Sequence, residues 1–319
     1  MLEMQMEIDI LRETIKVIKK DPGVNRKNLN NREKTTIVDA LKNRYSLSQL
    51  LSILHLSRSS YYYQEETRKK PNKYTRLRVR IAELFAENRK CYGYRRIHAL
   101  LQREGITVSD KVVRRIMSEE NLVVTVKRRR KYNSYQDEVS PAVPNLIRSD
   151  FHAEQPNSKW LTDITEFAIP AGKVYLSPIV DCFDGMVCAW SISVSPDVKL
   201  VNEMLEKAID TLQSDENPTV HSDRGCHYRW PGWIQRMDEA GLTRSMSKKG
   251  CTGDNAACEG FFGRLKKEMF YNKDWPGVNI FEFMQELNDY ISWYNEERIK
   301  TSLGNLSPVE YRRKLGFAA

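Results

Sequence analysis

Thr219-Val220-His221-Ser222-Asp223-Arg224-Gly225 and Gly253-Asp254-Asn255-Ala256-Ala257-Cys258-Glu259-Gly260-Phe261-Phe262-Gly263-Arg264-Leu265-Lys266-Lys267 enclose the stretch that decides the fold. The first is a short apolar run that ends in a carboxylate and then a turn. The second reads as a helix start. Asp254 is placed to cap it, and Cys258, Phe262, Leu265 and Met269 recur at helical spacing. Glu259 sits beside that apolar stripe, so its carboxylate falls at the edge of the buried face. Lys266 follows two turns later on the same side. Thirty-five residues separate Asp223 from Glu259. Upstream, Trp160-Leu161-Thr162-Asp163-Ile164-Thr165 sets a third carboxylate within a β-branched run.

Asp–Asp–Glu with the last pair thirty-five apart is the signature of polynucleotidyl transferases that handle phosphodiesters with divalent metals. The chain resembles transposases of the insertion-sequence-3 family, whose core is similar to retroviral integrase. The resemblance is carried by Tyr92-Gly93-Tyr94-Arg95-Arg96-Ile97, Trp160 to Thr165, His221 to Gly225, Gly253 to Glu259 and Tyr294-Asn295-Glu296-Glu297-Arg298. Leu303-Gly304-Asn305-Leu306-Ser307-Pro308 with Tyr311-Arg312 completes it. These motifs run in family order over roughly the last three quarters of the chain. The resemblance implies Asp163, Asp223 and Glu259 as catalytic residues and metal ligands, with two Mg²⁺ ions per site and Mn²⁺ as a substitute. It implies double-stranded DNA as partner, both element terminal inverted repeats and target. It further implies a homo-oligomer, at least a dimer on paired ends, and Lys266 against terminal DNA.

Working outward, residues 150–271 read as the catalytic domain. Strands are expected at Trp160–Phe167, Val174–Cys182 and Met186–Val194, with Asp184-Gly185 turning the second into the third. A helix over Val198–Leu212 leads to the strand ending at Asp223. Next come a helix near Trp230–Ala240, a strand at Leu242–Met246, a loop at Ser247–Gly253 and the Glu259 helix. This βββαβαβα order is that of an α/β ribonuclease-H-like core. Residues 272–319 read as a helical extension: Phe283, Met284, Leu287 and Ile291 line one helix, and Pro308 stands near the start of another. Structural support is the expected role of this tail.

All-α segments of helix-turn-helix type are expected to precede the core. Residues 1–31 form an N-terminal helix whose Met1, Met4, Ile8, Leu11, Ile15 and Ile18 repeat in steps of three and four, about two and a half heptads. Such a seam serves either a dimerising coil or packing within its own domain. Residues 32–66 read as three short helices broken at His55-Leu56, with Arg58 on the third and Ser57 capping it. Residues 67–124 repeat the pattern: Leu77, Ile81, Leu84 and Phe85, then Ile97, Leu100 and Leu101, then Val112, Val113, Ile116 and Met117 face inward. Arg95, Arg96, Lys111, Arg114 and Arg115 are expected to face outward toward phosphates. Residues 125–149 form a basic linker with Lys127, Arg128, Arg129 and Arg130. Lys248 and Lys249 in the loop and Arg264 on the Glu259 helix complete the candidate DNA contacts.

Charge placement agrees. The net charge is +9, yet residues 67–135 alone carry 20 Lys and Arg against 6 Asp and Glu, so the remainder is acidic. A surplus so concentrated points to a polyanion rather than an ordinary solvated face. No run of eighteen apolar residues or signal segment is present, so a cytoplasmic protein without a membrane partner is expected. Six scattered cysteines form no CxxC pair. Five histidines complete no zinc pattern, so free thiols are expected.

In-line displacement at a phosphodiester needs the attacking oxygen activated and the leaving oxygen stabilised. Two Mg²⁺ ions about 3.5–4 Å apart perform both tasks, and hard cations want carboxylate oxygens. A lone Asp at a strand end is usually a cap or turn residue, the reading given to Asp181, Asp184 and Asp254. His221 and His227 read as structural and Trp160 as core. The expected function is a DNA transposase that cuts a donor strand at element ends and joins its 3′-OH to a target phosphodiester. A metal-dependent nuclease on the same fold and a non-catalytic DNA-binding regulator are the alternatives. The basic helical segments speak against the first and the intact triad against the second.

Overall fold

The computed structural model describes residues 2–20, 29–69, 73–124, 143–248 and 252–318. It divides into two compact units, residues 1–79 and 80–319.

The first unit contains α1 (Leu2–Lys20), α2 (Asn31–Leu41), α3 (Leu47–Ile53) and α4 (Arg58–Lys69). Short polar residues start the helices, Ser57 among them as expected. Asn30 and Glu33 form a reciprocal capping box, Ser46 accepts from Gln49 N–H, and Ser57 accepts from Ser60 N–H. Ile37, Val38, Leu50, Leu51 and Tyr61 make the core, joined by Met6 and Ile10 of α1. Of the two roles open to the α1 seam, packing within its own unit is not the one seen. Met4, Ile8, Leu11 and Ile15 of the heptad seam are exposed, and the helix packs through Met6 and Ile10 instead. Met1 and Ile18 of the seam lie outside the described side chains. The helix is thus apolar on two sides, and packing within the unit consumes only one of them. Ile10→Ala should therefore cost about 2–5 kcal/mol in thermal unfolding. Leu11→Lys should change stability by no more than about 0.5 kcal/mol.

Helix α5 (Thr75–Glu87) crosses the boundary, and α6 (Tyr94–Arg103) and α7 (Asp110–Glu119) follow it. Ile81, Leu84, Phe85, Ile97, Leu101, Val113, Ile116 and Met117 are buried as the pattern predicts, while Leu77, Leu100 and Val112, also expected inward, are only half-buried. Gly105, at φ +75°, ends α6 in the left-handed region.

The sheet strands are β1 (Lys159–Thr162), β2 (Thr165–Ile169), β3 (Gly172–Asp181), β4 (Val187–Ser193), β5 (Thr219–Ser222) and β6 (Thr243–Met246). The long β3 pairs antiparallel with β4 on one edge. On its other edge it pairs with β2 over Gly172–Leu176 and with β1 over Ile179–Asp181. β1 runs parallel to β5, and β5 parallel to β6. The single strand expected over Trp160–Phe167 is therefore two. The break falls at Asp163-Ile164, where the Asp163 carboxylate accepts the Ile164 N–H at 2.7 Å and removes that donor from the ladder.

Helices α8 (Val198–Ile209) and α9 (Pro231–Glu239) cover one core, in which Trp160, Val201, Leu205, Trp233 and Met237 meet. Trp160 is fully buried, as expected of a core residue. α10 (Ala256–Leu265) runs into a π-helical turn at Lys266–Phe270, and α11 (Ile280–Glu296) and α12 (Pro308–Leu315) follow. Phe167, Phe270, Trp275 and Phe283 form an aromatic cluster between β2 and α11.

The tail is bound into the core. The Asn295 amide bonds both the N–H and the carbonyl of Val187. Buried Arg312 pairs with Asp181 at 2.7 Å and Asp184 at 2.8 Å. Those two carboxylates also accept turn N–H groups, from Phe183 and Met186. The helical segment is fastened to the same tail: Ile299 N–H donates to the Tyr92 hydroxyl, and Arg103 pairs with Glu310. No helix among the described residues is long and apolar enough to cross a membrane. The five described cysteines, 91, 182, 188, 226 and 258, are free.

Candidate active site

The parallel pairing of β1 with β5 sets the site. Trp160 lies opposite Val220 and Leu161 opposite His221. Two residues further along each strand, the same register sets Asp163 level with Asp223 as the strands end. Each carboxylate folds back on its own turn: Asp163 accepts from Ile164 N–H, and Asp223 accepts from Gly225 N–H at 2.8 Å. α10 packs against β1 through fully buried Cys258, which leaves the next residue, Glu259, exposed at the margin. Tyr228, also buried, approaches Thr162 at 3.4 Å and underlies both aspartates.

Electrostatics tie the three acids together. Burial pushes the Asp163 carboxyl up to about 7, and the charges of Asp223 and Glu259 add to the rise. Burial raises the Asp223 carboxyl as well. Two half-buried carboxylates thus repel each other, and no ion pair among the described residues relieves either. Such a donor set, all hard oxygen, fits a hard divalent cation, whose charge would reverse both shifts. Asp163, Asp223 and Glu259 are the residues that would hold it. Among the described residues no three ligand side chains are already drawn into a closed metal cluster. Glu259, on the first turn of α10, is the member that stands out in solvent.

The candidate DNA contacts fall into distinct settings. Arg58 is exposed at the start of α4 in the first unit. In the second unit Arg95, Lys111, Arg114 and Arg115 are exposed on α6 and α7. The Arg95 and Arg114 guanidiniums both lie 5.7 Å from the Tyr94 ring, a basic cluster stacked on one aromatic. Arg115 also pairs with Glu119 at 3.7 Å. Arg96 does not project as expected. It is half-buried 5.1 Å from the Tyr92 ring and near Arg298 and Glu268. Lys248 and Arg264 are exposed. Lys266 opens the π turn, its ammonium 5.1 Å from the Phe167 ring and close enough to lower the Asp163 carboxyl. Lys127, Arg128, Arg129, Arg130 and Lys249 lie outside the described residues.

Asp254 is not the helix cap. α10 begins at Ala256, with Asn255 in the cap position making no side-chain cap bond. Asp254 instead accepts the Ser149 hydroxyl at 3.0 Å and the Lys248 N–H at 2.8 Å, tying the loop to the segment entering the core. His221, fully buried, bonds the hydroxyls of Ser245 and Ser247. His227 bonds the Pro196 carbonyl, so both rings have structural partners. Sequence reasoning missed one network near the site. Arg298 is buried and pairs with Glu268 of the π turn at 2.6 Å, and the Tyr290 hydroxyl donates to the same carboxylate. The signal was there, since Arg298 lies in the Tyr294–Arg298 motif, but its partner is 30 residues away.

A mixed sheet of this strand order, with two aspartates at adjacent strand ends and a glutamate on the following helix, defines the ribonuclease-H-like integrase core. Residues 153–251 and 259–315 match the integrase core domain, and residues 73–131 match an HTH-like domain. The chain is 41% identical over 278 residues to the putative transposase InsK for insertion sequence element IS150 of Escherichia coli, covering 87% of this chain and 97% of that protein. It is 56% identical over 314 residues to the probable transposase for insertion sequence element IS1353 of Shigella flexneri. That match covers 98% of this chain but spans only 61% of the relative's length. Identity to the transposase InsF for insertion sequence IS3A of Escherichia coli is 28%, over 85% of this chain and 95% of that one. The chain belongs to the insertion-sequence-3 family of transposases.

Proposed function

We propose that this chain is a Mg²⁺-dependent DNA transposase that cuts a donor strand at the element ends and transfers the exposed 3′-OH to a target phosphodiester. The observation that carries the reading is the β1–β5 register, which brings Asp163 and Asp223 level beside the start of α10. Bound divalent cations, two per site, would supply Lewis-acid stabilisation to the attacking and leaving oxygens of an in-line displacement. Asp163 feels the charges of both other acids and would serve as the shared ligand. Asp223 and Glu259 flank it from a strand and a helix. Lys266 would hold the terminal phosphates from the edge of β2, and the basic faces of α6 and α7 would track the duplex. Joining two ends asks for two sets of DNA contacts, so at least two copies are expected on paired ends, with the exposed seam of α1 as one contact between them.

A strand-transfer assay on labelled element ends with Mg²⁺ tests this. Joined products support the reading. Cut products alone would favour the nuclease alternative, and a gel shift alone the regulator. Mn²⁺ should replace Mg²⁺, while Ca²⁺ should support binding with poor turnover, because its looser coordination positions the oxygens badly.

The linker reading has its own test. Replacing Arg128, Arg129 and Arg130 together by Gln should weaken DNA binding about equally across sequences. It should also flatten the salt dependence by roughly 0.9 in slope for each phosphate that is no longer neutralised. Unchanged affinity at every salt concentration would remove the linker from the DNA interface.

A further inference from the structure

Arg298 follows α11 and is neither a candidate metal ligand nor a candidate DNA contact. At 1% exposed it is too deep to touch DNA itself. Its Nε and Nη2 donate to the Glu268 carboxylate at 2.8 and 2.6 Å, a two-point pair. The Tyr290 hydroxyl donates to the same carboxylate at 2.8 Å, and the guanidinium lies 5.4 Å from the Tyr294 ring.

Glu268 stands inside the π-helical turn Lys266–Phe270, which the Tyr271 N–H closes on the Lys266 carbonyl at 2.7 Å. Such turns are rare in proteins and recur at functional sites. A buried ion pair is also no strong device for stability, because an apolar pair of similar volume often stabilises a fold as well or better. Stability alone explains neither feature.

What the two share is Lys266. It opens the turn, with its ammonium 5.1 Å from the Phe167 ring on β2, and its charge reaches Asp163. Side chains two residues apart in a helical turn face roughly opposite ways. Glu268 is thus gripped on one side of the turn while Lys266 stands on the other. Phe270, at the end of the turn, packs 5.3 Å from the same Phe167 ring. The grip comes from the sheet that bears the aspartates. Asn295, near the end of α11, bonds both backbone groups of Val187 on β4, and β4 is joined to β1 through β3.

We propose that Arg298 is a positioning residue for strand transfer: through Glu268 it fixes the π turn so that the Lys266 ammonium stands beside the acid cluster at the edge of β2. This rests on the transposase reading, in which Lys266 meets the terminal phosphates, and deepens it by naming what places that lysine.

The test uses the full chain and a labelled duplex carrying the terminal repeat that adjoins its own coding sequence. The variants are Arg298→Lys, the pair Arg298→Met with Glu268→Gln, and Lys266→Ala alone and combined with each of the others. The paired change leaves no buried charge without its partner, and the new amide oxygen can still accept from the Tyr290 hydroxyl. Thermal melting, end affinity in Ca²⁺, and kcat and KM for joining in Mg²⁺ are measured for each.

The paired variant should melt within about 4 °C of wild type, since both charges leave together. It should nevertheless join ends at least about tenfold less well in kcat/KM, with most of the loss in KM. End affinity should fall similarly, as it should in Lys266→Ala. Adding the paired change to Lys266→Ala should cost nothing further, because the pair acts through that lysine. Arg298→Lys, which keeps a charge but not the two-point grip, should fall between wild type and the paired variant.

Wild-type joining and affinity in the paired variant would overturn the proposal and leave Arg298 to packing. So would losses that multiply with those of Lys266→Ala. If the paired variant does not fold, Arg298→Lys makes the same comparison. A loss of end affinity that vanishes in the Lys266→Ala background supports the proposal, and a loss that persists there, or none at all, overturns it. Wild type that binds ends but never joins them would count against the transposase reading instead. The comparison in end affinity then decides the role of Arg298.

Discussion

Asp163→Asn, Asp223→Asn and Glu259→Gln should each reduce cleavage and joining to background while leaving end binding largely intact. Each change removes a charge from the acid cluster without touching the basic faces of α6 and α7, so affinity and chemistry separate. Asp163 should be the least tolerant of the three. Burial raises its carboxyl to about 7, and the charges of both Asp223 and Glu259 add to the rise. Removing its charge should also relieve Asp223, so the Asn variant is expected to be no less stable than wild type in the absence of metal. Buried like charges cost stability that the cation normally offsets. Wild-type joining by any of the three variants in Mg²⁺ would remove that residue from the site.

The second large effect is on stability and comes from the far end of the chain. Arg312 is buried between Asp181 and Asp184, both themselves fully enclosed side chains. Arg312→Met would leave two carboxylates without their cation, at a cost of about 3–5 kcal/mol in urea unfolding. Arg312→Lys should recover only part of this, because a point ammonium cannot reach both acids as the planar guanidinium does. The triple variant Arg312→Met, Asp181→Asn, Asp184→Asn should be more stable than Arg312→Met alone. A loss below about 1 kcal/mol for Arg312→Met would mean that solvent reaches these acids and the tail is not fastened there.

How much of this was legible depends on the range of the interaction. The helices came from local periodicity, and their buried faces at Ile81, Ile97 and Val113 are where the pattern put them. The positions of Asp223 at a strand end and of Glu259 on a helix start were legible from their spacing and the family resemblance. The break between β1 and β2 was not. Trp160 to Phe167 reads as one run of β-branched and aromatic residues, and the Asp163–Ile164 hydrogen bond falls where it breaks. Asp254 misled because an Asp before a helix is usually its cap. Here its partners, Ser149 and Lys248, arrive from another segment. The heptad seam of α1 was legible as apolar. Its fate was not, because Met6 and Ile10 on the other face are apolar as well. Arg298 and Arg312 look like surface residues in the sequence. Their burial depends on acids 30 and 128 residues away, which no local pattern announces.

The central claim is that Asp163, Asp223 and Glu259 hold the catalytic metal directly. A change of ligand atom tests it more sharply than a loss of charge. Asp163→Cys replaces a hard oxygen donor by a soft thiolate, which favours softer cations over Mg²⁺. Strand transfer by this variant is measured in Mg²⁺, in Mn²⁺ and in Mg²⁺ supplemented with Cd²⁺, beside wild type. The account predicts no joining in Mg²⁺ alone and recovery when the softer ion is present, with wild type gaining nothing from it. Joining by Asp163→Cys in Mg²⁺ alone at the wild-type rate would contradict the account, because the metal would then not be bound through that side chain.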